Sequence, residues 1–243
     1  MKALEGKTVL VTGAARRIGR TLALTLAEAG AQVAITWRDS EQDAGRTVEE
    51  LKALGVKAFA VRADVRSEAQ VNAAVEAAVG RFGHLDLLVN NAGRFETAAL
   101  SRISVEQWDA MFETNTRGPF LMAKAAFPHL RARHGRIINI GSLGGQHPWS
   151  THAHYCTSKA ALHMLTQTMA KAFAPEISVN CVAPGMIVNG EVNDAYEHFE
   201  EKTPMRRNGT PQDVAAAVMF FATGPHFITG QILSVDGGLG LAS

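Results

Sequence analysis

Seven short apolar runs divide this chain, and the stretches between them mostly carry the period of an amphipathic helix. The runs fall at 8–12, 32–37, 57–61, 85–90, 136–140, 178–182 and 232–235, each the length of a buried strand. After the first run, Ile18, Leu22, Leu26 and Ala29 share one helical face, and Gly30 stands at the expected stop. Ser40 with Asp43, Ser67 with Gln70 and Ser104 with Gln107 are cap pairs three residues apart, so helices are predicted to open there. The first of these stops at Gly55, and the last runs to Arg133 with a break near Pro119. A further helix is predicted over 152–173. Thr210-Pro211-Gln212-Asp213 joins an N-cap to a proline at the first helical position. Strands that alternate with helices build βαβ units and a parallel sheet.

The crossovers of such units are right-handed, which places helices on both faces. The predicted fold class is α/β: a three-layer, doubly wound (Rossmann) sheet of about seven parallel strands. Ligands in these sheets bind at the carboxyl ends of strands, near the point where strand order reverses. Gly13, Arg38, Asp64, Asn91, Ser142 and Pro184-Gly185 all follow predicted strands.

The length of 243 residues suits one domain over 1–243, with 186–209 as a substrate lid within it. That long, irregular segment carries Glu191, Asp194, Glu197, Glu200 and Glu201, which suit either a closing lid or a solvated acidic helix. A net charge of +1 argues against a nucleic-acid partner. No apolar run reaches the roughly 20 residues of a membrane span, and the N-terminus lacks the apolar core of a signal peptide. Only Cys156 and Cys181 are present, too few for a disulfide scaffold. A cytoplasmic setting is expected.

The first strand and helix are joined by Thr12-Gly13-Ala14-Ala15-Arg16-Arg17-Ile18-Gly19. Gly13 permits a tight turn, Gly19 permits close helix–strand packing, and helix-start N–H groups suit a pyrophosphate; the alternative is a plain βα turn. The second strand ends Trp37-Arg38-Asp39-Ser40, where a dinucleotide fold often has an acidic residue for the ribose 2′-OH. Arg38, with Ser40 beside it, instead suits a 2′-phosphate, so NADP(H) is expected over NAD(H). Alternatively Arg38 is solvated or pairs with Asp39. Asp64, beside Val65, is placed to accept from an adenine amino group or to serve as a turn aspartate.

Tyr155 and Lys159 lie four residues apart on the helix predicted over 152–173, so they share a face. A positive charge near a phenol favours the phenolate, and at an effective dielectric of ~20 a charge ~4 Å away is worth about 4 kcal/mol. Lys159 is therefore expected to lower the Tyr155 pKa and fit it for general acid work. Ser142 follows the fifth strand thirteen residues earlier, and Asn115 lies in the long helix after the fourth.

Together, Thr12-Gly13…Gly19, Asp64-Val65, Asn90-Asn91-Ala92-Gly93, Asn115, Ser142, Tyr155-x-x-x-Lys159 and Pro184-Gly185 resemble the motifs of the short-chain dehydrogenase/reductase family over essentially the whole chain. The resemblance implies that Tyr155 protonates a carbonyl oxygen as hydride arrives from nicotinamide. It implies that Lys159 holds the nicotinamide ribose, that Ser142 donates to the same oxygen, and that Asn115 anchors a water connecting Lys159 to solvent. Otherwise Ser142 is a turn serine and Asn115 a buried polar residue satisfying backbone groups. Asn91, Ala92 and Gly93 would floor the cofactor, and Pro184, Gly185 and Ile187 would flank the nicotinamide. Two departures stand out. Arg17 occupies a usual glycine position, similar to the pteridine reductase branch, where an arginine reaches toward the substrate; a surface arginine is the alternative. Asn189 stands where the family often has threonine.

Leu143, His147, Trp149 and His154 are candidates for the substrate mouth. His152-x-His154 makes a poor zinc site without acidic or thiolate partners, so no metal is expected. Arg131, Arg133 and Arg136 form a basic cluster that suits an acyl carrier protein or a solvated helix end, and Cys156 is expected to pack. The expected activity is reduction of a 3-oxoacyl thioester or small ketone with NADPH. Pterin C=N reduction is the alternative, and a non-catalytic NADP-binding sensor or scaffold is a reading of another class. The resemblance also implies a homotetramer through the helices near 104–133 and 152–173 and the last strand.

Overall fold

A computed structural model describes residues 2–188, 190 and 194–241, with the side chains of 194–197 set aside. Its seven strands are β1 (Thr8–Val11), β2 (Gln32–Trp37), β3 (Ala58–Arg62), β4 (Leu87–Asn90), β5 (Arg136–Ile140), β6 (Ser178–Pro184) and β7 (Ile232–Val235). They pair in parallel throughout, in the order β3-β2-β1-β4-β5-β6-β7. The order reverses between β1 and β4, which fixes the ligand crevice at their carboxyl ends.

The helices are α1 (Arg17–Glu28), α2 (Glu41–Ala53), α3 (Glu68–Phe82), α4 (Val105–Phe112), α5 (Gly118–Arg131), α6 (Ala153–Phe173), α7 (Asp194–Lys202) and α8 (Pro211–Thr223). Strand side chains alternate between two apolar layers. Val9, Val11, Leu87 and Val89 pack with Leu22, Leu26, Val48, Leu51, Val214 and Phe221 of α1, α2 and α8. Leu10, Leu88 and Ile137 pack on the other face with Val71, Val75, Met122, Leu130 and Met169 of α3, α5 and α6. Full burial of one such side chain contributes about 1.5–3 kcal/mol.

The caps at Ser67, Ser104 and Thr210 form as the sequence predicts, the last two as reciprocal capping boxes. Ser40 starts α2 without a side-chain cap bond, so Ser40 and Asp43 do not act as a cap. The break in the long helix comes before Pro119: α4 and α5 are joined by a π-helical turn over Glu113–Arg117 that contains Asn115. Pro119 sits in the first turn of α5, where its missing N–H costs nothing. Asn189 and Glu191 lie outside the described residues, as do the side chains of Asp194 and Glu197. No helix among the described residues is long and apolar enough to cross a membrane.

One position in the nucleotide turn is strained. Arg17 has φ 53°, left-handed backbone that a β-carbon disfavours by about 1–2 kcal/mol. The substitution Arg17→Gly should therefore raise unfolding stability by about 1 kcal/mol in urea titration. A destabilised variant would mean that contacts of the Arg17 side chain outweigh the strain.

Candidate active site

The nucleotide turn is tied to β4 through one threonine. Thr12 Oγ1 accepts from the backbone N–H groups of Asn91 and Ala92, both at 3.0 Å. Asn91 Nδ2 donates to the carbonyls of Thr12 (2.9 Å) and Gly13 (3.1 Å). Gly13 has φ 62°, and a β-carbon there would lie 2.9 Å from Ala92 Cα. At Gly19 a β-carbon would collide with the Asn91 amide and lie 2.6 Å from the Gly13 carbonyl oxygen. Both glycines are thus required by close approach. Arg16 precedes α1 without a side-chain cap bond, so its own side chain does not compete for the helix-start N–H groups. Arg16 and Arg17 are exposed and Ile18 is half-buried beneath them. An uncapped helix start, a glycine turn and two arginines fit a pyrophosphate.

Beside this turn a cavity of about 740 Å³ opens at the ends of β2 and β3, lined by Arg38, Asp39, Arg62, Asp64, Arg66, Gln70 and Arg94. Four arginines face two aspartates there, and both aspartates are engaged. Arg38 Nε donates to Asp39 at 2.6 Å, which is the pairing weighed against phosphate binding. Asp64 accepts from Arg66 Nε (3.0 Å) and Nη2 (2.5 Å), and the Arg66 hydrogen bond holds its carboxyl below the usual range. Ser40 is half-buried at the start of α2. Val65 is buried, and a β-carbon on Gly118 would lie 2.9 Å from its Cγ2, so its side chain locks the β3–α3 loop to α5.

The chemical residues gather at the ends of β4 and β5. Asn115 is fully buried in its π-turn, a form of helix frequent at functional sites. Its Oδ1 accepts from the Arg94 N–H at 2.8 Å. Its Nδ2 donates to the Arg94 carbonyl (2.9 Å) and Ser158 Oγ (3.0 Å). A β-carbon at Gly93 would stand 3.5 Å from Asn115 Oδ1 and 3.7 Å from Lys159 Nζ, so Gly93 separates the two. Ser142 is buried after β5, and its Oγ accepts from the Gly144 N–H at 3.1 Å.

Tyr155 reverses the sign expected from its neighbour. Burial pushes its phenol up to about 12, and a hydrogen bond with Ser142 only partly opposes that. Lys159 Nζ lies 6.0 Å from the centre of the Tyr155 ring and donates to the Ile140 carbonyl at 2.8 Å. The helical spacing does stack the two residues, and the ammonium donates to the carbonyl at the end of β5. Desolvation then dominates the phenol. Lys159 is itself buried, which lowers it to about 8.

Around Tyr155 stands an aromatic wall. Phe95 meets its ring edge-on at 4.8 Å, Trp149 lies nearly parallel at 6.0 Å, and His152 stacks on Phe95 at 4.9 Å. Leu143 is buried and His147 exposed; a β-carbon on Gly240 would lie 2.8 Å from Leu143 Cδ1 and 2.9 Å from His147 Nε2, so both face the Leu239–Leu241 turn. Gly185, after Pro184, abuts Asp236, and Ile187 bridges to Gly209. His152 bonds Thr97 (2.9 Å) and Thr151 (3.0 Å), while His154 is fully buried with neither ring nitrogen bonded among the described residues. The candidate carrier patch disperses: Arg133 pairs with Asp86, Arg131 lies over Phe127, and Arg136 donates to the carbonyls of Phe221 and Gly224. Cys156 packs in the interior, as expected. Phe95 was not singled out from sequence, although an aromatic in the polar run Arg94-Phe95-Glu96-Thr97 was a usable signal. His163 was missed too, although it lies four residues past Lys159 on the same helical face.

A family model described as enoyl-(acyl carrier protein) reductase matches residues 13–240. A 3-oxoacyl-[acyl-carrier-protein] reductase of Staphylococcus epidermidis is 40% identical over 240 residues, covering 96% of this chain and 98% of that protein. A dehydrogenase/reductase of Sinorhizobium meliloti superposes with a TM-score of 0.93 at 38% identity, over 97% of this chain and 96% of the other. A 7α-hydroxysteroid dehydrogenase, solved with NADH and a 7-oxo bile acid conjugate, gives 0.91 at 32% identity, over 97% and 94%. With relatives of this identity spanning both chains almost end to end, on a sheet of matching fold, the protein belongs to the short-chain dehydrogenase/reductase family of oxidoreductases.

Proposed function

We propose that this chain reduces a carbonyl group to an alcohol, reversibly, with NADPH preferred and Tyr155 as proton donor. The observation that carries the reading is the meeting of Asn115, Ser142, Tyr155 and Lys159 at the ends of β4 and β5, beside the nucleotide turn. When bound, the reduced dinucleotide supplies the hydride. Tyr155, kept neutral by burial, gives its proton to the carbonyl oxygen. Ser142 donates to the same oxygen and stabilises charge that develops there. The N–H of Gly144 occupies one lone pair of Ser142 Oγ, which helps aim its proton outward. Lys159 holds the ribose and restores the Tyr155 proton. Asn115 Oδ1 keeps its second lone pair for a water on that path.

The arginine-rich cavity at β2 and β3 supports a 2′-phosphate. The Arg38–Asp39 pair is the observation that opposes it, so phosphate binding there requires Arg38 to exchange that carboxylate for the phosphate. A charge-assisted hydrogen bond contributes about 1.5–3 kcal/mol, so NADPH should bind at least roughly tenfold tighter than NADH. The relatives named 3-oxoacyl-[acyl-carrier-protein] reductases favour a 3-oxoacyl thioester as substrate, with a small ketone next. Pterin C=N reduction is a second reading, favoured by the exposed, strained Arg17 in the nucleotide turn. If Arg17→Gly slowed ketone and pterin turnover equally, that reading would be lost.

A panel of 3-oxoacyl thioesters, ketones and pterins, each assayed with NADPH and NADH, tests the proposal. Tyr155→Phe should cut kcat on the best substrate by about 10²-fold or more while NADPH binding persists. An unaffected variant would refute the proton-donor role, and no turnover on any substrate would favour a sensor. Lys159 is an ammonium below about pH 8 and neutral above it. Reductive kcat should therefore fall as pH rises through 8, and a rate still climbing there would contradict the role given to Lys159.

A further inference from the structure

His163 lies on α6 one turn beyond Lys159, buried under the loop that carries Ser142. Its Nε2 accepts the backbone N–H of Ser142 at 3.5 Å. Two glycines flank that loop, and both leave room for this imidazole. A β-carbon on Gly141 would collide with His163 Nε2 and lie 2.7 Å from Cys181 Sγ. One on Gly145 would lie 2.6 Å from His163 Cε1 and 2.9 Å from Nδ1, and equally close to the Lys159 backbone. The ring is thus wedged between the Ser142 loop and the Lys159 turn of α6. Burial and the charge of Lys159 push its pKa down to about 4, so at neutral pH the ring is uncharged and Nε2 is free to accept.

We propose that His163 is a positioning residue for the reaction: its Nε2 fixes the Ser142 backbone and thereby aims the Ser142 hydroxyl at the carbonyl oxygen. The inference rests on the role given to Ser142 above. A histidine serves here because the loop needs an acceptor from below on a rigid, flat ring that two glycines can straddle. An aliphatic side chain would fill the space and leave the Ser142 N–H buried without a partner.

The test compares His163→Gln, which can keep an acceptor, with His163→Met, which has similar length and no oxygen. Each is made in the natural chain and in a Ser142→Ala background, with thermal unfolding and NADPH binding as checks on folding. His163→Met should lose about five- to tenfold in kcat with KM changed less than twofold, as expected for one lost hydrogen bond. His163→Gln should recover most of that loss. In the Ser142→Ala background the two should be indistinguishable, because the group they act through is gone. Equal losses for Met and Gln, a Met effect that persists without Ser142, or failure of both to fold would make His163 a packing residue and overturn the inference. Full activity in Ser142→Ala itself would instead refute the role of Ser142, a separate outcome.

Discussion

The Lys159 ammonium is buried near the end of β5 and held there by the Ile140 carbonyl. A buried cation needs such a partner, and the partner decides where the charge points. Here the charge is held at the strand end. The balance of the site follows. Tyr155 is governed by its desolvation, so the protein itself favours the protonated phenol, the form that can donate. Lys159, desolvated as well, sits near the pH at which it exchanges its own proton. One residue holds a proton firmly and its neighbour holds one loosely, an arrangement suited to delivery followed by refilling.

The rest of the architecture brings those two residues to the nucleotide turn. The reversal of strand order puts β1 beside β4, and Thr12 with Asn91 fastens their ends together. The π-turn between α4 and α5 rotates Asn115 inward, where it clamps Arg94 and Ser158 and so joins the β4 loop to the helix of Tyr155. A regular helix from 104 to 133 would shift the register of the residues after the turn. Val65 against Gly118 and His163 beneath Ser142 support the same cleft from outside the chemistry. Each is a close approach that a glycine makes possible.

Much of this was legible from residues alone, for reasons that can be named. Strand runs such as 32–37 and 136–140 match the structure because buried parallel strands leave a continuous apolar run between turns. Ser67, Ser104 and Thr210 were readable as caps because capping is local chemistry. Ser40 failed because its backbone, at φ −112° and ψ 60°, does not aim the hydroxyl at the helix start. The candidate site was legible as a set of motifs, but its electrostatics were not. Spacing places Lys159 beside Tyr155 without saying where an ammonium on a four-carbon stem finds an acceptor. The partners of Arg133, Arg136 and Asp64 likewise come from other elements or from loop geometry that pattern does not encode. Phe95 and His163 escaped notice because their importance comes from tertiary contact.

The account stands on a tyrosine that burial keeps protonated. The chain has two tyrosines, Tyr155 and Tyr196, so a Tyr196→Phe variant leaves one phenol to observe. Its phenolate absorbance should be followed against pH in the folded, cofactor-free protein. The account predicts ionisation above the ordinary tyrosine value of about 10, with no phenolate at neutral pH. A transition near neutrality would contradict it and return the control of the phenol to Lys159.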